Sequence, residues 1–150
     1  MAEEKRAAAL AAEECLANGI TTFHDAGVSF EDVDLFRQLV DAGELSVRLY
    51  VMLSEGNEKL AERIADYRLI GYGDNRLTVR AIKRLIDGAL GSHGAWLLEP
   101  YDSLPSSTGL NTEPVDALKE TARLAVEHDF QLCTHAIGDR GNRETLDIYS

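Results

Sequence analysis

At 150 residues, 45% hydrophobic and 27% charged, the chain is long enough for one domain with a buried core, which excludes disordered and collagen-like classes. With 15 Lys and Arg against 26 Asp and Glu, the formal charge of −11 argues against nucleic acid or an anionic membrane as partner. The start, MAEEKRAAALAAEECLANG, carries four glutamates and does not read as a signal peptide, and no 18 apolar residues run together, so a cytoplasmic location is expected.

In chain order, Ala, Leu and Glu at helical density predict a helix over residues 2–17, closed by Asn18-Gly19. ITTFHDAG predicts a short strand that stops at Asp25-Ala26-Gly27. SFEDVDLFRQLVDAGE predicts a helix opened by Ser29, with Asp32 as its acidic capping partner, and LSVRLYVML a second strand. A helix over 57–69, a strand in LTVRAIKRLIDG, a loop of roughly 25 residues, a helix over 113–128, a strand in FQLCTHAIG and a helix from Arg140 complete the series. No hairpin signal interrupts it. Alternation of this kind implies right-handed crossovers and a parallel sheet, either doubly wound or part of a (β/α) barrel, with functional groups at the C-terminal ends of the strands.

The unusual residues fall at those ends. Alternation along the third of these strands places Val79, Ala81, Lys83 and Leu85 on one face and Arg80, Ile82, Arg84 and Ile86 on the other, so Lys83 is the one charge on its face. A buried lysine loses hydration and becomes a nucleophile or a carbamate former, whereas the ordinary alternative is a lysine that snorkels or pairs with Asp87. His135 ends the next strand and converges on the same region. Asp139 and Arg140 either position the imidazole or belong to the following helix, with capping the better reading for Asp139. His24 and Asp25 close the first strand, and alternation lets one of them face the pocket; His93 can reach a substrate from the long loop, and His128 complements a helix end. Cys15 and Cys133 match no metal spacing and read as small buried hydrophobes of a reducing compartment. No dinucleotide fingerprint, phosphate loop or Gly-x-Ser-x-Gly elbow is present.

Taken together, GITTFHDAG (19–27), AIKRLIDGALGSHGAWLLEPY (81–101) and THAIGDRGN (134–142) resemble the metal-dependent amidohydrolase superfamily, in its YtcJ-like, amidohydrolase-3 branch. The resemblance implies an α/β fold that is a partial (β/α)8 TIM-like barrel, with about four parallel strands matching the second to fifth of eight. It implies that Lys83 matches a lysine carried as a metal-bridging carbamate and His135 a histidine metal ligand, with a divalent ion, Zn²⁺ above others, activating water for hydrolysis of a non-peptide C–N amide-type bond. His24, Asp87, His93, Asp139 and Arg140 then serve in substrate binding or in support of the ligands. His93 stands where relatives often have arginine, and Gly141 where alanine is usual.

The family's His-x-His pair on its first strand, and its later histidine and aspartate, have no counterpart here, so the chain is expected to be an incomplete barrel domain over 1–150. A small-molecule substrate, and a second copy or the remainder of the barrel covering exposed edges, are the expected partners. Two other readings compete. Lys83 could form a Schiff base in an aldolase-like barrel, or the chain could be a non-catalytic α/β association module.

Overall fold

The computed structural model describes residues 2–150. Helix α1 (Ala2–Ala17) ends where Gly19 takes φ 73° and the Asn18 side chain donates to the Glu14 carbonyl at 2.9 Å. Strand β1 (Thr22–Val28) leads to α2 (Phe30–Asp41), whose Ser29 and Asp32 form the expected reciprocal capping box. Strand β2 (Arg48–Leu53), helix α3 (Asn57–Arg63), a 3₁₀ turn (Ile64–Tyr67), strand β3 (Leu69–Gly71) and a short turn α4 (Tyr72–Asn75) follow. Strand β4 (Leu77–Leu85), a long loop, α5 (Val115–Glu127), β5 (Gln131–His135) and α6 (Asp139–Tyr149) complete the chain.

The parallel strands lie side by side as β1, β2, β4 and β5, with one register shift in each of the β1–β2 and β2–β4 pairs. The helix expected over 57–69 is shorter, and β3 pairs antiparallel with the start of β4 through Leu69 and Val79, a hairpin the sequence reading lacks. Burial explains the early stop: Ile64 and Tyr67 enter the core, which turns the chain to extended geometry at Arg68. The reversal then runs through left-handed residues Gly71, Gly73, Asp74 and Asn75, of which only the glycines adopt such angles at no steric cost.

One face of the sheet carries Leu49, Val51, Leu53, Leu77, Val79 and Ile82, packed under Phe30 and Val33 of α2, Leu60 of α3 and Leu124 of α5. Val79 and Ile82 share this face although they are three positions apart. The cause is a bulge: Val51 pairs with Val79 but Met52 pairs with Ala81, so Arg80 is skipped and the side-chain alternation of β4 inverts at that point. Val79 therefore belongs with Ile82 and Arg84, not with Lys83 as strict alternation predicted.

The outer edge of β5 has an unusual cover. Ile86 donates to the His135 carbonyl, so the odd-numbered backbone groups of β5 face β4 and those of Leu132 and Thr134 face outward. The Tyr149 hydroxyl lies 3.1 Å from the Leu132 carbonyl and accepts from the Thr134 N–H at 3.2 Å, the two groups that one residue of a further parallel strand would bond. Tyr149→Phe is expected to leave this edge open and raise concentration-dependent association in sedimentation velocity; an unchanged sedimentation coefficient at every concentration would refute the protective role.

Candidate functional site

Register puts the two principal candidates together. Lys83 pairs with Cys133 and Leu85 with His135, so the side chains of residues 83, 133 and 135 share the face opposite the helix-covered core. Both Lys83 and His135 are half-buried. The Lys83 amine donates to the Arg84 carbonyl at 3.2 Å and makes no pair with Asp87. Burial holds this amine below the usual lysine range, and the neighbouring Cys133 thiol opposes part of that shift. Burial correspondingly pushes the Cys133 thiol up, with Lys83 pulling it back.

A lowered amine pKa means that the folded chain releases this proton before the unfolded chain does. Stability contributed through Lys83 is therefore full above the unfolded lysine value and is lost as pH falls through the folded one. At mildly alkaline pH, acetic anhydride is expected to acylate Lys83 ahead of Lys5, Lys59 and Lys119 when sites are read by peptide mass spectrometry. Slower labelling at Lys83 than at all three would contradict the shift.

Asp87, just past β4, is fully buried. Its Oδ2 accepts from the N–H groups of Trp96 at 2.9 Å and Gly138 at 2.7 Å, and its Oδ1 accepts from Ile137 at 3.0 Å. The His135 Nε2 stands 3.8 Å from Oδ1. One carboxylate thus ties the long loop to the turn after β5, and its donors offset the desolvation that burial imposes. The loop closes on α6 at a second point, where Asp139 Oδ1 accepts from the Leu98 N–H at 2.9 Å and the Arg140 guanidinium stacks on Trp96 at 4.5 Å. Asp139 and Arg140 therefore act on the loop and contact no ring atom of His135 among the described interactions.

The other candidates are placed elsewhere. β1 continues to Val28, because Gly27 takes φ 149° at a bulge in place of a strand end, so His24 and Asp25 lie inside the strand and not at its tip. His24 faces the inner side, stacked on Tyr50 with ring centroids 4.8 Å apart, at the level of Thr78 and well below Lys83. Asp25 faces the α1 and α2 layer, where burial, and then the Asp32 charge, push its carboxyl up. His93 is held inside the long loop by Ser103 Oγ at 2.9 Å and by an edge contact with Tyr101. His128 is the residue that closes α5.

Sequence reasoning missed Arg84. It is 5% exposed on the core face, and its guanidinium donates to the Glu55 and Lys83 carbonyls, Asn57 Oδ1 and Thr121 Oγ1, with Glu113 Oε1 at 3.2 Å. Burial lowers its pKa and raises that of Glu113, each opposed by the charge of the other. The network braces the loops after β2 and before α5, which with Lys83, Asp87 and Thr112 line a groove of about 500 Å³. A smaller cleft of about 380 Å³ under α1 is more apolar, but it lies away from Lys83 and His135. The groove over the strand ends is where the titratable groups converge, and chemistry outweighs enclosure in choosing between them. A signal for Arg84 existed in the sequence only as a charge set between Ile82 and Ile86 on a strand face that Arg80 also shared.

The donor set bears on a metal. Lys83 and His135 suit two positions of a divalent-ion site, but among the described residues no group of three or more His, Cys, Asp or Glu side chains could hold one. The chain thus supplies part of a ligand set that normally numbers three or four.

Four neighbouring parallel strands, helices on one face and titratable groups at the C-terminal strand ends define a section of a (β/α) barrel protein. The chain belongs to the amidohydrolase family, whose model matches residues 1–150. It is 26% identical over 159 residues to Protein LONG AFTER FAR-RED 3 of Arabidopsis thaliana, covering 98% of this chain and 27% of that one. To the putative amidohydrolase YtcJ of Bacillus subtilis it is 27% identical, over 91% of this chain and 26% of the relative. Crystal structures of uncharacterised metal-dependent hydrolases from Pyrococcus horikoshii and Pyrococcus furiosus superpose with TM-scores of 0.79 and 0.81, each at 26% identity. They are matched over 94% and 97% of this chain and 29% and 30% of theirs, so the chain spans under a third of these relatives' length. No helix among the described residues is long and apolar enough to cross a membrane.

Proposed function

We propose that the chain forms part of the active centre of a metal-dependent amidohydrolase that hydrolyses non-peptide C–N amide-type bonds of a small substrate. The observation that carries this reading is the register of β4 and β5, which puts a half-buried lysine and a histidine on one face at the mouth of the sheet. Lys83, as its carbamate, and His135 would hold the ion, Zn²⁺ by preference for imidazole and oxygen donors, with further ligands from outside these residues. When bound, such an ion supplies Lewis acidity toward a carbonyl and lowers the pKa of water.

The chain's own residues have separable tasks. Burial keeps more of the Lys83 amine neutral, the form that reacts with carbon dioxide. Asp87, Asp139 and Arg140 hold the long loop against the start of α6, and His24 and His93 make their contacts within the sheet and the loop. A second copy or the remainder of a barrel would cover the inner face and strand edges, and the cytoplasm suits two free cysteines.

In a polypeptide carrying these residues within a complete barrel, Lys83→Ala is expected to lose more turnover than the 10–100-fold typical of outer-shell changes. Short carboxylic acids should restore part of it by replacing the carbamate. Undiminished turnover, or a borohydride-trapped carbonyl adduct on Lys83 without metal, would overturn the proposal in favour of a structural or Schiff-base lysine.

A further inference from the structure

We infer that Asp87 is a positioning residue for His135, setting which ring nitrogen carries the proton and which is left for a cation. The inference deepens the metal-site reading and rests on it for its purpose. A carboxylate offers about four lone-pair directions, and three of those on Asp87 are taken by the N–H groups of Trp96, Ile137 and Gly138. Two of these donors converge on Oδ2, leaving Oδ1 with Ile137 and an open direction on the side where His135 Nε2 stands at 3.8 Å. That distance is about 1 Å longer than a hydrogen bond, so the acceptor stands beside the ring without a formed bond in this structure.

No other cation competes for the open direction among the described contacts. The Lys83 amine is turned to the Arg84 carbonyl, and the Arg84 guanidinium is engaged on the opposite face of the sheet. His135 and Asp87 are further coupled through the backbone, because Ile86 donates to the His135 carbonyl and Ile137, two residues beyond the ring, donates to Asp87. The neutral ring beside this acceptor carries its proton on Nε2, and Nδ1 remains unprotonated as the available donor to a cation.

Asp87→Asn reverses this arrangement. The two converging donors retain the amide oxygen at the Oδ2 position, so the new NH₂ group falls at the Oδ1 position, gives up the bond from the Ile137 N–H and faces His135 Nε2. Nε2 must then accept, and the proton moves to Nδ1. The test reads the His135 tautomer from ring ¹⁵N shifts of the metal-free chain at a pH where the ring is neutral. Tyr101→Phe is the control, since it removes the loop bond from Tyr101 Oη to the Ala95 carbonyl without touching His135.

The expected result is Nε2–H in the wild type and in Tyr101→Phe, and Nδ1–H in Asp87→Asn; in a polypeptide carrying these residues within a complete barrel, Asp87→Asn alone is expected to lose Co²⁺ affinity 10–100-fold. An Nδ1–H ring in the wild type overturns the inference without recourse to any variant. A folded Asp87→Asn chain that keeps Nε2–H, with faster exchange only at the Trp96, Ile137 and Gly138 amides, reduces Asp87 to a loop clamp and also overturns it. The expected tautomers in the chain, with no Co²⁺ binding by the complete barrel, support the ring placement and count against the metal-site reading alone.

Discussion

Arg84→Met is expected to cost about 3–5 kcal/mol of unfolding free energy, the range for removing one partner of a buried charge network. The guanidinium is the common donor for the Glu55 carbonyl, Asn57, Thr121 and Glu113, and methionine fills much of its volume but donates to none of them. The Glu113 carboxyl, already pushed up by burial, then loses the charge that opposed the shift. Arg80→Met is the matched comparison, because Arg80 is exposed at the bulge and its loss should stay within about 0.5 kcal/mol. Urea denaturation followed by circular dichroism measures both. Equal midpoints for the two variants would show that the Arg84 network contributes nothing beyond surface charge.

Gly138→Ala is the second large expectation, and it acts through space and not through backbone angles. Gly138 has φ −67° and ψ 151°, which alanine adopts freely, but a Cβ there would lie 1.9 Å from the Trp96 carbonyl oxygen and 2.4 Å from its carbon. The obstacle is backbone, so no rotamer change relieves it. The loop must lift from the α6 start, and the Asp87 bonds to Trp96 and Gly138 lengthen together; a loss of about 1–3 kcal/mol is expected, the range for overpacking a filled site. Gly91→Ala adds a Cβ into open space at no positive φ and should leave the chain within about 0.5 kcal/mol of wild type. Calorimetric midpoints of the two variants decide the matter; coincidence of both with the wild type would mean the loop yields without cost.

Local rules made much of this architecture legible in advance. Ser29 with Asp32 announced a helix start, Asn18-Gly19 a helix end, and the alternation of apolar strands with helices a parallel sheet, because each rests on interactions within a few residues. Lys83 stood out because one charge on an apolar strand face is rare, and His135 because it ends a neighbouring strand. The early end of α3 and the antiparallel β3 were not legible, since Tyr67 ends the helix by entering a core built from distant elements.

The remaining decisions belong to tertiary structure. Period-two alternation holds only while every residue pairs, so the skipped Arg80 reassigns Val79 to the helix-covered face, and a glycine that looked like a strand end became a bulge that leaves His24 and Asp25 inside β1 and away from its tip. Asp87 shows the same limit more sharply. Read along the chain it is a turn residue after a strand, and only the return of Trp96, Ile137 and Gly138 from 9, 50 and 51 residues away makes it the point on which the site is fastened. The sequence by itself determined which residues could form strands, helices and charged groups, since these follow from local geometry and hydration. Which of those groups meet, and which face they occupy, depended on hydrogen bonds between segments that no local pattern encodes.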